Sequence, residues 1–100
     1  MKLHNLFENI TLNHHQRYIL LQIKLASTPT IAFDQINKTE ADYQSRQILE
    51  RVRLITVSEN IRTAELTPEG ETAVIQYGLV DEQGEVTEIG QELLDINNDI

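Results

Sequence analysis

The sequence predicts a small α+β domain, mainly α, and three observations carry that prediction. Apolar residues recur at helical spacing in stretches that open on an Asn or a Thr with capping chemistry. Two β-rich runs, Leu54–Val57 and Thr63–Leu66, flank the turn-forming Ser58-Glu59-Asn60. One hundred residues, 40% of them apolar, suffice for a single compact core and leave little room for a second domain.

Taken in order, Leu3, Leu6, Phe7 and Ile10 fall at i, i+3, i+4 and i+7, one face of a short helix over residues 1–10. Asn13 with Gln16 three residues later is a capping-box pattern, and the helix it opens is expected to reach about Ala26. Its strictly polar sector, centred on Arg17 and Lys24, is narrow. Tyr18, Ile19, Leu20, Leu21, Ile23, Leu25 and Ala26 cover most of the remainder. So wide an apolar surface needs cover from two directions. One side is expected to be the core; the other is the N-terminal helix, the C-terminal helix or a second subunit.

Ser27-Thr28-Pro29 breaks that helix. Thr30–Ala32 reads as a short strand, and 33–37 as one or two helical turns with Phe33 and Ile36 inward. After the step Asn37-Lys38-Thr39, Thr39 is a good N-cap, and Glu40 and Asp42 sit in a first turn that favours anions. This helix is expected to run to Arg53. Its expected inward stripe is Ala41, Ser45, Ile48, Leu49 and Val52, and its outward face carries Tyr43, Gln44, Arg46, Gln47, Glu50, Arg51 and Arg53.

A hairpin through Ser58-Glu59-Asn60 follows, completing a helix-turn-helix and wing over 13–66. Thr67-Pro68 reads as an N-cap followed by an N1 proline, opening a helix through about Tyr77 that ends at Gly78. Leu79-Val80 and Glu85-Val86 suggest a second, shorter hairpin. Thr87 then caps a last helix with Ile89, Leu93 and Ile96 inward, and 97–100 is expected to fray. The parse is supported by an internal echo. Glu65-Leu66-Thr67-Pro68-Glu69-Gly70-Glu71 recurs twenty residues on as Glu85-Val86-Thr87-Glu88-Ile89-Gly90-Gln91. A glycine in the first helical turn costs helix propensity, so close helix–strand packing is expected there.

Composition narrows the function classes. With no cysteine, disulfides, thiolate zinc sites and a thiol nucleophile are excluded, and a reducing compartment fits. His4, Asn5, Glu8 and Asn9 interrupt the N-terminus before any long apolar run, so no secretory signal is expected. The longest apolar stretch, Tyr18–Leu21, is far below a membrane span. A soluble, cytoplasmic protein with no membrane contact is expected. His14-His15 diverge by about 100° on a helix and cannot share a ligand set, so no metal is expected. No nucleophile–base pair or Gly-rich phosphate loop is visible, and neither a catalytic role nor a cofactor is expected.

The net charge of −8 is uneven. Residues 1–37 carry +1 (Lys2, Arg17 and Lys24 against Glu8 and Asp34). Residues 38–63 carry +1 (Lys38, Arg46, Arg51, Arg53 and Arg62 against Glu40, Asp42, Glu50 and Glu59). Residues 64–100 hold ten acids and no Lys or Arg. If that acidic third lies away from the third helix, the molecule is a dipole that orients on DNA. If it flanks that helix, a basic protein partner is the better fit.

The order helix, short strand, short helix, turn, helix, two-stranded wing matches the winged helix-turn-helix plan. Three segments resemble the MarR-like group of winged-helix regulators. Leu12-Asn13-His14-His15-Gln16-Arg17-Tyr18-Ile19-Leu20 is similar to that group's Leu-Thr-x-x-Gln-x-x-x-Leu helix opening. Arg53-Leu54-Ile55 resembles its Gly-Leu-Ile exit, and Leu66-Thr67-Pro68-Glu69-Gly70-Glu71 its Leu-Thr-x-x-Gly junction. Two departures stand out: the wing tip offers Arg62 without the group's Asp-x-Arg element, and the terminal helices that build its dimer are short. A further stretch, Leu79–Gly90, is similar to an architectural element of winged-helix domains in DEAH-type helicases.

The resemblance implies double-stranded DNA as partner, with the third helix in the major groove. Arg46 and Arg51 would contact guanine edges or phosphates, and Gln44 and Gln47 adenine. Tyr43 shares their face, Lys38 and Arg53 would be backbone contacts, and Arg62 a wing contact. An adaptor binding a basic protein surface through the acidic third stands as the alternative. Either role is compatible with a homodimer through Leu3, Leu6, Phe7, Tyr18, Leu21 and Leu25. A contiguous positive strip from Tyr43–Arg53 to Arg62 would favour DNA; a patchwork broken by Glu40, Asp42 and Glu50 would favour the adaptor.

Overall fold

In the computed structural model the described residues are 12–26, 31–32 and 38–98. The helices expected over 1–10 and 33–37 lie outside them, as do the Ser27-Thr28-Pro29 break and the last two residues of the expected tail. The chain is a small, mainly helical α+β structure. Its elements are α1 (His14–Leu25), β1 (Ile31–Ala32), α2 (Glu40–Arg51), β2 (Ile55–Ser58), β3 (Thr63–Leu66), α3 (Pro68–Gln76) and α4 (Glu88–Asn98).

Local chemistry sets the helix starts. The Gln16 N–H donates to Asn13 Oδ1 at 2.8 Å and the Asn13 N–H to Gln16 Oε1 at 3.0 Å, a closed capping box. Thr39 and Asp42 close a second one, and the Thr67 hydroxyl accepts the Gly70 N–H at 3.0 Å to open α3 behind the N1 proline.

Helix α1 is the centre of the fold. It packs against α2 on one side and against α3 and α4 on the other, with β3 alongside. This is why its apolar surface is so wide: Ile19, Leu20 and Leu21 are each fully buried within one chain. Each contributes about 1.5–3 kcal/mol of burial. Cover for α1 therefore comes from α2, α3 and α4, and needs no second subunit at Leu21. The narrow polar sector is also used: Lys24 Nζ bonds Glu71 Oε2 at 2.6 Å, and the Arg17 guanidinium lies 4.6 Å from the centre of the Tyr77 ring.

The sheet is antiparallel. β2 and β3 form a hairpin in the register Ile55↔Leu66 to Ser58↔Thr63, and β1 adds two residues of pairing on the other edge of β3. Ile55 and Ala64 turn into the core beside Leu49, Leu54 and Val74. The expected second hairpin is reduced to a single bridge, Val80↔Val86, across the turn Asp81–Glu85.

The sequence echo is a structural repeat, and it begins further back than the matching residues. Helix α2 ends with Arg53 left-handed at φ 66°; the Leu54 N–H bonds the Leu49 carbonyl at 3.0 Å and the Arg53 N–H the Glu50 carbonyl at 3.1 Å. Helix α3 ends the same way through Gly78 at φ 75°, with Leu79 on Val74 and Gly78 on Ile75, both at 2.9 Å. Both are Schellman closures. The Thr67 N–H then bonds the Leu54 carbonyl and the Thr87 N–H the Leu79 carbonyl, each at 3.1 Å. The Thr67 hydroxyl donates to the Arg53 carbonyl at 2.7 Å, and the Thr87 hydroxyl to the Gly78 carbonyl. In each copy the glycine three residues past the Thr lies on the same carbonyl. A Cβ at Gly70 would collide with the Leu54 oxygen, and one at Gly90 with the Leu79 oxygen. Close backbone approach is thus the reason for both glycines.

Two expected inward faces are corrected. On α2, Ala41 is exposed and Ile48 is 36% exposed, while Asp42, Ser45, Arg46 and Leu49 are buried. On α4, Ile89 and Ile96 are exposed at 58% and 54%; Gly90, Leu93 and Leu94 face inward instead. The close approach of Gly90 to Leu79 turns the helix this way, since it brings the 90–93–94 edge against the chain.

Candidate nucleic-acid interface

The orientation of α2 is set by one buried carboxylate. Asp42 Oδ2 accepts the N–H groups of Lys38 at 2.9 Å and Thr39 at 3.0 Å, and Oδ1 takes the His15 Nε2 of α1. Three donors satisfy the carboxylate, which is what permits its burial at 6% exposure. Pinned there, the helix turns Ser45, Arg46 and Leu49 against α1 and raises the opposite edge, Glu40, Gln44, Gln47 and Arg51, as a crest.

This corrects the reading of Arg46 as an outward, base-contacting side chain. It is 4% exposed, its guanidinium lies 5.2 Å from the centre of the Tyr43 ring, and its Nη1 is 3.5 Å from Glu50 Oε2. An arginine so enclosed works as a packed strut, with its stem in the interface and its head between a ring and a carboxylate.

The other candidates remain on the surface. A groove of about 540 Å³ runs between α2 and the β2–β3 turn. Lys38, Tyr43, Arg46, Gln47 and Arg62 line it, together with Thr39, Glu40, Glu50 and Glu59. Five of the eight candidate residues therefore meet in one place. Gln44 and Arg51 stand on the crest beside it. Arg53 lines a separate recess with Thr67, Pro68 and Glu69, reached around the base of the hairpin. Within the groove three cations face three carboxylates, so positive charge is interrupted there. Tyr43 and the crest glutamines are held by helix neighbours: Gln47 Nε2 bonds Tyr43 Oη at 3.0 Å, and Gln44 Nε2 reaches Glu40 Oε1 at 3.4 Å.

The hairpin turn presents Ile61, 69% exposed, next to Arg62 at φ 54°. Sequence reasoning passed over Ile61 and Glu59 as parts of this surface; exposure of an isoleucine and the meeting of a turn glutamate with a distant helix across a groove are not written in local patterns. It also passed over His15 as the partner of Asp42.

The acidic third is divided: Glu65 stands on β3 of the hairpin and Glu69 shares the Arg53 recess with Glu50, while the acids from Glu71 to Asp95 lie on or between α3 and α4. Helices α3 and α4 both pack on α1, whereas the main neighbours of α2 are α1 and β2. The groove's carboxylates are thus its own, contributed by α2 and the turn.

Of the residues suggested for a dimer contact, Leu21 is fully buried in the core and is excluded by that burial, Tyr18 is half-buried against it with its Oη bonded by Gln22 Nε2 at 2.8 Å, and Leu25 is 41% exposed. Leu3, Leu6 and Phe7 lie outside the described residues. His14 and His15 diverge: His15 joins Asp42, and His14 borders a recess of about 90 Å³ with Arg17, Leu79, Ile89, Glu92, Leu93 and Ile96. Among the described residues no helix is long and apolar enough to cross a membrane.

No protein-family model matches the chain, and neither the curated proteins nor the solved structures contain a significant match to it.

Proposed function

We propose that this chain is a non-enzymatic winged helix-turn-helix domain that binds double-stranded DNA and acts in transcription control. The order α1, β1, α2, hairpin is the arrangement in which the helix before the wing enters the major groove and the hairpin touches the flanking backbone. The resemblance of the 12–71 segment to MarR-like regulators suggests the same role. The observation that carries the reading is the segregation of charge. Seven of the ten acids of residues 64–100, from Glu71 to Asp95, lie on or between α3 and α4, which pack on α1, while Glu65 stands on β3 of the hairpin and Glu69 shares the Arg53 recess with Glu50. A duplex approaching the face formed by α2 and the hairpin meets Lys38, Arg51 and Arg62 before it meets the acids of α3 and α4 beyond Glu69.

The test is an amide-shift NMR titration of the labelled protein with a mixed-sequence duplex at low salt. Salt-sensitive shifts at Lys38, the crest of α2 and Arg62 are the expected outcome. Shifts confined to α3 and α4, or none, would discard the DNA reading.

A second reading has its own observation. Glu40, Glu50 and Glu59 share the groove with Lys38, Arg46 and Arg62. A mixed-charge groove of this kind suits a protein surface with alternating charges better than a phosphate backbone. On that reading the domain is an adaptor, and the acidic α3–α4 side offers a further surface for a basic partner.

A further inference from the structure

Resting on the DNA reading above, we infer that the centre of α2 selects A·T over G·C base pairs, with Gln44 and Gln47 as the specificity-determining pair. The crest opposite the buried edge consists of Glu40, Gln44, Gln47 and Arg51, spaced i, i+4, i+7 and i+11. At 1.5 Å per residue this stripe runs about 16 Å, the length of roughly five base pairs. These are the side chains that lead when α2 is laid into a major groove.

Each has a limited repertoire there. The carboxamides of Gln44 and Gln47 offer one donor and one acceptor side by side, matching N7 and N6 of adenine. Glu40 is acceptor-only and matches the N4 amino group of cytosine. The commonest reader of guanine is arginine, and Arg46, at the middle of the helix, is withdrawn: it is 4% exposed against the Tyr43 ring and Glu50. Arg51 stands in the last turn, the end of a recognition helix nearer the backbone than the base edges. Guanine therefore has no reader at the centre of the crest.

The crest is also ordered before any duplex arrives. The 3.0 Å bond from Gln47 to Tyr43 Oη restricts its rotamers, and the contact of Gln44 with Glu40 does the same. A side chain already restricted loses less freedom on binding, and discrimination between bases sharpens accordingly. Lys38 and Arg62, which line the groove, supply the part of the affinity that carries no sequence information.

The experiment is selection of bound duplexes from a randomised pool by the intact chain, repeated with the double variant Gln44→Ala, Gln47→Ala and with Lys38→Ala. Both glutamines are exposed, and a thermal melt of each variant checks that it folds. The expected result is a core of A·T pairs with a neighbouring C·G pair. Preference for that core should fall about ten-fold per glutamine removed in the double variant. Its binding to a mixed-sequence duplex should change by no more than about two-fold, because the phosphate contacts remain. Lys38→Ala should weaken both duplexes equally and lower the salt slope by about 1. A consensus centred on G·C pairs, or a preference that survives loss of both glutamines, overturns the inference and leaves the DNA reading standing. Recovery of no duplex at all overturns both.

Discussion

Among the described residues two carry left-handed backbone without being glycine, Arg53 at φ 66° and Arg62 at φ 54°. For an L side chain that conformation costs about 1–2 kcal/mol. Gly78 occupies the position equivalent to Arg53 in the repeat at no such cost. Arg53→Gly is therefore expected to stabilise the chain by about 0.5–1 kcal/mol, read as a higher denaturation midpoint at unchanged slope. The two close-approach glycines behave in the opposite sense. Gly70→Ala and Gly90→Ala each drive a methyl group into a backbone carbonyl and are expected to cost about 2–3 kcal/mol. Urea unfolding of the two variants would check this, and a loss below about 0.5 kcal/mol at either site would show that the helix can slide away. The glycines and their cause were legible in the sequence as an anomaly, a poor helix former repeated in two first turns. The burial of Arg46 was not. A long cationic side chain on a capped helix reads as solvent-facing unless one knows what stands across from it.

At the scale of elements, starts and stops were the most legible part. Asn13, Thr39, Thr67 and Thr87 each cap from their own neighbourhood, so three or four residues of sequence contain the whole device. The rotation of α2 about its axis was illegible for the complementary reason. It depends on a contact between residues 27 apart, His15 and Asp42, and on backbone donors from Lys38 and Thr39 that converge on the same carboxylate. A double-mutant cycle tests that account. Asp42→Ala removes a cap and orphans buried donors, at an expected cost of about 2–3 kcal/mol. His15→Ala is expected to cost less, and the pair together less than the sum by about 1 kcal/mol. Strict additivity would mean that the imidazole does not help to orient the helix. The wheel position of Ile89 and Ile96 was misread on the same ground, because the Gly90–Leu79 contact, invisible to periodicity, decides which edge of α4 turns in.

Over the whole molecule, the place of a charge matters more than the total. Screening confines an exposed charge to about 8–10 Å at physiological ionic strength. Glu59 lines the groove, so Glu59→Gln is expected to raise affinity for a mixed-sequence duplex about three-fold at low salt. Glu92, on the α4 side against His14 and Arg17, carries the same charge, yet Glu92→Gln is expected to leave affinity within error. Parallel fluorescence-anisotropy titrations would compare them, and equal effects would mean that net charge alone governs binding. Composition made the unevenness visible but could not say which side of the core the acids occupy, since that depends on how α3 and α4 wrap α1.

The repeated junction also bears on how the chain finds its fold. Leu54 and Leu79 each offer a carbonyl to a threonine N–H and a seat to the glycine three residues beyond it. Two sockets that accept the same plug create an ambiguity: the strand ending at Leu66 can try the seat at Leu79, and the one ending at Val86 the seat at Leu54. Such near-degenerate pairings are kinetic traps within one chain and routes to exchange between two. The differences between the copies act as keys. Pro68 opens one helix where Glu88 opens the other, and the first copy closes four paired residues where the second closes a single bridge. A chain in which those keys were made alike would be expected to fold more slowly and to trade segments with its neighbours.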